Sequence, residues 1–297
     1  MSMEARFGRV LTAMITPFTQ EGALDLDGAV ELASWLVEQG NDGLVLAGTT
    51  GESPTLTHEE QVDLVEAVAS SVDVPIIAGA GSNDTRSAVK NAQRCAEVGA
   101  GGVLSVTPYY NRPSQDGIVE HFKAVATASD LPVILYDIPF RTGRKINTST
   151  LLKLADEVET IVGVKDAAGN VAETARLIAS APEGFQVYSG EDSLTLALLS
   201  VGAVGTISVA SHWATPETIR MFNSFFAGDH RTAQKVNQLL ISSYDFESGD
   251  LCPNPIPSKA MMKVLGLPGG SCRLPMGPEP EYLQDEARRV LTDLGRS

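Results

Sequence analysis

Eight short apolar runs mark the chain, and none of them alternates between apolar and polar positions. They are "LTAMITPF" (11–18), "GLVLAG" (43–48), "PIIAGAG" (75–81), "GGVLSVTP" (101–108), "PVILYDIP" (132–139), "IVGVKDA" (161–167), "FQVYSG" (185–190) and "GAVGTISVA" (202–210). Continuous hydrophobicity marks strands covered on both faces, as in parallel sheets. The segments between them have helical spacing. "LDGAVELASWLVEQG" carries Leu32, Trp35, Leu36 and Gln39 at that spacing and stops at Gly40. "THEEQVDLVEAVASSV" opens with Thr57 and Glu60, a capping-box pair that satisfies two backbone groups left open at a helix start. "DTRSAVKNAQRCAEVG" repeats the scheme, with Asp84 as cap and Gly99 as stop. Further helices are predicted at about 115–128, 147–157, 170–180, 191–200 and 215–226.

Eight strand–helix repeats predict an α/β protein, a (β/α)8 TIM barrel over residues 1–226, with its active site at the C-terminal ends of the strands. An open doubly wound sheet is the alternative, since periodicity does not show closure. Residues 227–297 read as helices around a Pro/Gly-rich break, "PNPIPSKAMMKVLGLPGGSCRLPMGPEP", and predict a C-terminal helical extension.

A formal charge of −15 over 297 residues argues against nucleic acid and anionic membranes as partners. No apolar run approaches the ~20 residues that span a bilayer, and "MSMEARFGRV" has no signal-peptide core. Three scattered cysteines, Cys95, Cys252 and Cys272, fit a reducing compartment, so a cytoplasmic location is expected. The four histidines, at 58, 121, 212 and 230, lack a paired spacing, and no metal site is predicted.

The chemistry collects where the strands end. Lys165 closes an apolar strand, where an ammonium is out of place. A free lysine has a pKa near ~10.4, and moving it to ~7–8 takes about 4 kcal/mol of bias against the charge, which a half-apolar interior can supply. A neutral amine there can attack a ketone and form a Schiff base. The plain alternative is an ion pair with Asp166 or Glu52. "GTTGES" follows the second strand, and its glycines let consecutive N–H groups form an anion nest, with Thr49 and Thr50 adding hydroxyls. A simple turn leading into a helix cap is the alternative there. Tyr109 and Tyr110 follow the fourth strand and Tyr136 closes the fifth; they read either as proton carriers or as packing residues. Arg141 offers a planar fork for a carboxylate, while Arg144 reads as a surface residue. Glu191 and Asp192 either tune the site or cap a helix.

Together "LTAMITPF", "GTTGES", "VTPYYNRPSQDG", "LYDIPFRTG", "VGVKDA", "SGED", "GTISVASH" and "PNPIPSK" run through most of the chain in order. In this combination the chain resembles the pyruvate-dependent class I aldolases, and within them the dihydrodipicolinate synthase branch. The resemblance implies that Lys165 forms a Schiff base with pyruvate and that Tyr136 relays protons through Thr50 and Tyr110. It implies that Tyr110 serves the neighbouring subunit, in a homotetramer built as a dimer of dimers. It also implies that the backbone of Thr49 and Thr50 holds the pyruvate carboxylate, that Gly190 and Ile207 line the site, and that Arg141 receives the carboxylate of aspartate semialdehyde. No metal or organic cofactor is implied, because the imine itself draws off the electrons. N-acetylneuraminate lyases in the same family typically read Gly-Ser-Thr-Gly-Glu in the first loop and lack the arginine, so "GTTGE" and "FRTG" favour the synthase branch. Some members are inhibited by lysine in a cleft whose positions match Ser53, His58, Asn83 and Tyr109. Gln61 and Ser87 stand where sensitive members carry His and Glu, so weak feedback is expected. A related lyase or dehydratase acting on another 2-keto acid or sugar acid is the alternative activity, and a catalytically silent metabolite-binding barrel is the alternative class.

Overall fold

Each apolar run coincides with a strand shorter than itself, and only the first strand starts outside its run, one residue early at Val10. In the computed structural model, which describes residues 4–296, the strands are β1 (Val10–Ala13), β2 (Gly43–Leu46), β3 (Ile76–Gly79), β4 (Gly102–Val106), β5 (Val133–Asp137), β6 (Ile161–Asp166), β7 (Gln186–Ser189) and β8 (Gly205–Ser208). Residues 1–3, at the start of the predicted barrel segment, and 297, at the end of the predicted extension, lie outside the described residues. All neighbours pair in parallel, and β8 pairs back onto β1 with Val10 opposite Thr206. That closure rules out the open sheet. The apolar residues left over at the end of each run leave the ladder and build the loops of the mouth.

The helices that cover the strands are α1 (Leu26–Glu38), α2 (His58–Ala69), α3 (Thr85–Glu97), α4 (Gln115–Ala126), α5 (Pro139–Thr142), α6 (Thr148–Glu157), α7 (Val171–Ser180), α8 (Thr195–Ser200) and α9 (Ser211–Phe226). The predicted caps form: Thr57 and Glu60 bond reciprocally at the start of α2, and Asp84 accepts from the Ser87 N–H. The predicted helix at 191–200 divides into a 3-10 turn at Asp192–Leu194 followed by α8. The short α5 was not foreseen. The predicted helix at 215–226 begins earlier, at Ser211, and bends at Ala214, just before Pro216, which has no N–H to continue the ladder.

Strand alternation divides the buried side chains into two layers. Leu11, Val45, Ile77, Leu104, Ile134 and Tyr136 fill the barrel interior, while residues on the other face, such as Leu44, Val103 and Val164, pack under the helices. Four further helices follow: α10 (His230–Leu239), α11 (Ile241–Phe246), α12 (Ile256–Val264) and α13 (Leu283–Asp293). They share one apolar cluster with α1 and α9, including Leu32, Trp213, Phe222, Met261 and Val290. Trp213 meets Phe246 edge-on at 5.7 Å and donates its indole N–H to Ser243 at 3.0 Å, which fixes α11 against the barrel. Burying a side chain of this size is worth about 2–3 kcal/mol. No helix among the described residues is long and apolar enough to cross a membrane.

Candidate active site

β6 presents Lys165 to the barrel interior and Asp166 to the helices, because neighbouring residues of a strand face opposite ways. Asp166 accordingly accepts from the Ala168 N–H at 2.9 Å and the Thr174 hydroxyl at 2.5 Å, and is unavailable to the lysine. Glu52, the other suggested partner, is held by Lys259 at 2.7 Å. Lys165 is 4 % exposed and forms no ion pair among the described residues. Its Nζ lies 4.6 Å from the centroid of the Tyr136 ring, directly across the β5–β6 ladder. Burial lowers its pKa from 10.5 to about 8; Asp192, Glu247 and Glu191 pull the other way and Arg141 adds to the lowering. The stem is fixed by Gly190, where a Cβ would come within 2.8 Å of the lysine Cγ. Ile207 is buried in the barrel interior.

Tyr136 is also buried, which pushes its phenol up to about 12, against a hydrogen bond from Thr49 that lowers it. It is therefore a neutral O–H group at any ordinary pH. This corrects the threonine assignment. Thr50, expected to link Tyr136 to Tyr110, turns its hydroxyl away and accepts from Asn254 Nδ2 at 2.9 Å. Thr49 takes the position beside the phenol. The loop explains the switch: Ala47 and Glu52 both adopt left-handed backbone, φ +50° and +55°, so the direction of successive side chains no longer follows the strand. Gly51 is required because a Cβ there would sit 3.0 Å from the Ala47 nitrogen and 3.1 Å from the Met14 oxygen.

The backbone N–H groups of Thr49, Thr50 and Gly51 find no protein acceptor among the described residues. Consecutive N–H groups without a protein partner are the kind of donor set that an anion can accept from. Arg141 in α5 lines an adjoining cavity of about 290 Å3 with Thr49, Tyr109, Ile138 and Asn254. Tyr110 does not join its own site: it is 90 % exposed, with φ +72°.

Three supports were missed by the sequence reading, and all come from the extension. Asn254 holds Thr50. Lys259 holds Glu52. Arg273 donates its backbone N–H to Glu52 at 2.9 Å and pairs with Glu60 at 2.6 Å. "PNPIPSK" was the available signal for the first two, but nothing in it names the loop it braces.

A sequence profile of the dihydrodipicolinate synthetase family matches residues 6–294. The chain belongs to the dihydrodipicolinate synthetase family. A 4-hydroxy-tetrahydrodipicolinate synthase from Moorella thermoacetica is 47% identical over 292 residues, 98% of this chain and 99% of the relative. Among solved structures, a dihydrodipicolinate synthase from Bacillus anthracis superposes with a TM-score of 0.93 at 43% identity, covering 96% of this chain and 98% of that one. One from Cyanidioschyzon merolae, with lysine bound, gives a TM-score of 0.94 at 41% identity over 97% of this chain and 98% of that one. Membership in the family accords with a (β/α)8 barrel whose polar groups gather at one mouth.

Proposed function

We propose that the chain condenses pyruvate with L-aspartate 4-semialdehyde to give 4-hydroxy-tetrahydrodipicolinate, a step of lysine and diaminopimelate biosynthesis. The observation that carries this reading is the Lys165 amine, buried, without an ion pair among the described residues, and brought to a pKa of about 8 next to a phenol. The neutral amine attacks the keto carbon of pyruvate. Tyr136 delivers the proton that lets the former keto oxygen leave as water, and the resulting iminium acidifies the methyl group. The N–H groups of Thr49 and Thr50 hold the pyruvate carboxylate. The enamine carbon then adds to the aldehyde, whose carboxylate Arg141 receives. The second substrate's own amine displaces Lys165 from the imine carbon, closing the ring and restoring the free lysine. The iminium is the electron sink, so the cycle needs no metal or organic cofactor.

Tyr110 supports a homo-oligomer. An aromatic side chain this exposed, on backbone that a tyrosine rarely adopts, is left almost uncovered by the described residues of its own chain. In our reading it enters the site of a second copy within a tight dimer and completes the proton path from Tyr136 through Thr49, with two dimers forming a tetramer. The cysteines are unpaired, which supports a reducing, cytoplasmic setting.

Coupled turnover of pyruvate with aspartate semialdehyde tests the assignment. Wild-type protein should turn over, Lys165→Ala should not, and Tyr136→Phe should lower kcat by about 10²–10⁴-fold. Undiminished activity in Lys165→Ala would overturn it. Feedback by lysine should be weak. Gln61 donates to the Ser53 carbonyl at 3.3 Å and Ser87 to Asp84 at 2.8 Å, so neither supplies an acidic partner for an ammonium. Loss of that contact removes about 1.5–3 kcal/mol of binding. A lysine titration of turnover with half-inhibition in the micromolar range would contradict this.

A further inference from the structure

Arg141 is exposed, and its guanidinium makes no hydrogen bond or ion pair among the described residues. Its place therefore depends on the backbone that carries it. That backbone leaves β5 at Asp137, turns through α5 and passes Gly143 at φ +71° before reaching Ile146. Asp137 closes this loop on itself. Tyr136 before it faces the barrel interior, so the Asp137 carboxylate faces the helices. There its Oδ2 accepts from Lys145 Nζ at 2.8 Å and its Oδ1 from the Ile146 N–H at 3.1 Å. Both oxygens serve as acceptors, as in a carboxylate, so the contact with the lysine is an ion pair. The acid side chain is 2 % exposed and the lysine 33 %. Lys145 also lies 3.4 Å from Glu173 of α7, and its carbonyl accepts from Gln115 of α4 at 2.9 Å. Within the loop, the Thr142 hydroxyl reaches the Ile138 and Arg144 carbonyls at 3.1 and 2.9 Å.

We propose that Asp137 and Lys145 are positioning residues for Arg141: their ion pair clasps the α5 loop and sets where the guanidinium meets the carboxylate of the second substrate. This rests on the reading of Arg141 as the receiver of that carboxylate. The geometry matters because a planar fork makes its two parallel hydrogen bonds only from a narrow range of positions, and a shift of about 1 Å forfeits them. An exposed pair would hold little, but here the acid is enclosed, and without the lysine its charge keeps a single N–H for company. Asp166, opposite Asp137 on β6, has its own donors in Thr174 and Ala168. Lys145 is thus the one cation bonded to Asp137 among the described residues. Tyr136 and Lys165 do not depend on the clasp. They oppose each other across the ladder, with Val106 of β4 beside the first and Tyr188 of β7 beside the second. The barrel itself holds the groups that take pyruvate, and the clasp holds the group that takes its partner.

The test separates the two substrates. KM for aspartate semialdehyde is measured by coupled turnover, and pyruvate capture at Lys165 by cyanoborohydride trapping and intact mass. Lys145→Met should raise KM for the aldehyde by about 10–100-fold and leave the trapping rate at the wild-type value. Lys145→Arg keeps the charge and a donor, and should return KM close to that of the wild type. In an Arg141→Lys background, whose flexible ammonium needs no fixed fork, Lys145→Met should change KM much less. A loss shared equally by aldehyde KM and pyruvate trapping would show a general loosening and overturn the proposal. An unchanged KM, or a fall in kcat alone, would do the same. Should Lys145→Met fail to fold, Asp137→Asn decides, since its amide offers one acceptor where two are used. Its aldehyde KM should rise with trapping unchanged, and a KM that stays in place counts against the clasp. Wild-type protein that captures pyruvate yet never consumes aspartate semialdehyde would instead defeat the reading of Arg141 and of the second substrate.

Discussion

At the scale of single residues, Lys165 is a case of function set against stability. The unfolded chain holds this proton up to pH 10.5 and the folded chain only to about 8. Below pH 8 the difference weighs against folding by up to about 3 kcal/mol. Between 8 and 10.5 the unfolded state binds the extra proton, so stability rises with pH through that window and the penalty vanishes above it. Lys165→Met should therefore raise the thermal midpoint at pH 7 by a few degrees, with the gain gone near pH 10.5, while pyruvate trapping disappears. Parallel melting curves at the two pH values check both halves. The importance of Lys165 was legible because an ammonium closes an apolar strand. Its freedom from Asp166 was not, since a continuous apolar run hides which face each residue takes. The choice between Thr49 and Thr50 was hidden for another reason: two left-handed residues reset the turn, and the sequence does not display φ.

At the scale of elements, eight strands and most helices were legible, because caps and helix stops act locally. What sequence could not supply was the bracing of the "GTTGES" loop by a segment some two hundred positions downstream, as in the Thr50–Asn254 contact at |i−j| = 204. The central contact is the Lys259–Glu52 pair, 3 % and 1 % exposed, with the ammonium 4.1 Å from the centroid of the Phe18 ring. Removing one member of a buried pair leaves the other charge stranded, at a cost of about 3–5 kcal/mol. Lys259→Met should destabilise the fold by that amount in urea, and should weaken pyruvate binding as well, since Glu52 ends the loop that carries the nest. A double change, Lys259→Met with Glu52→Gln, should recover most of the stability; no recovery would show that packing rather than charge is what was lost.

At the scale of the whole molecule, the exposed Tyr110 sets a test that single chains cannot pass. Lys165→Ala and Tyr110→Ala protein should each be poorly active alone. After mixing and subunit exchange, the hybrid pairs the intact lysine of one copy with the intact tyrosine of the other, and turnover should return. Sedimentation should show assemblies larger than one chain in both variants, and a mixture that stays inactive despite exchange would count against a shared site. The last barrel helix ends at Phe226, yet Asn254, Lys259 and Arg273 beyond it grip the loop after β2. The tail is thus not a detachable module. Anyone grafting this barrel's specificity onto a relative must move loop and tail as one inherited unit, because a chimera that joins them from different parents would pair side chains never selected to meet.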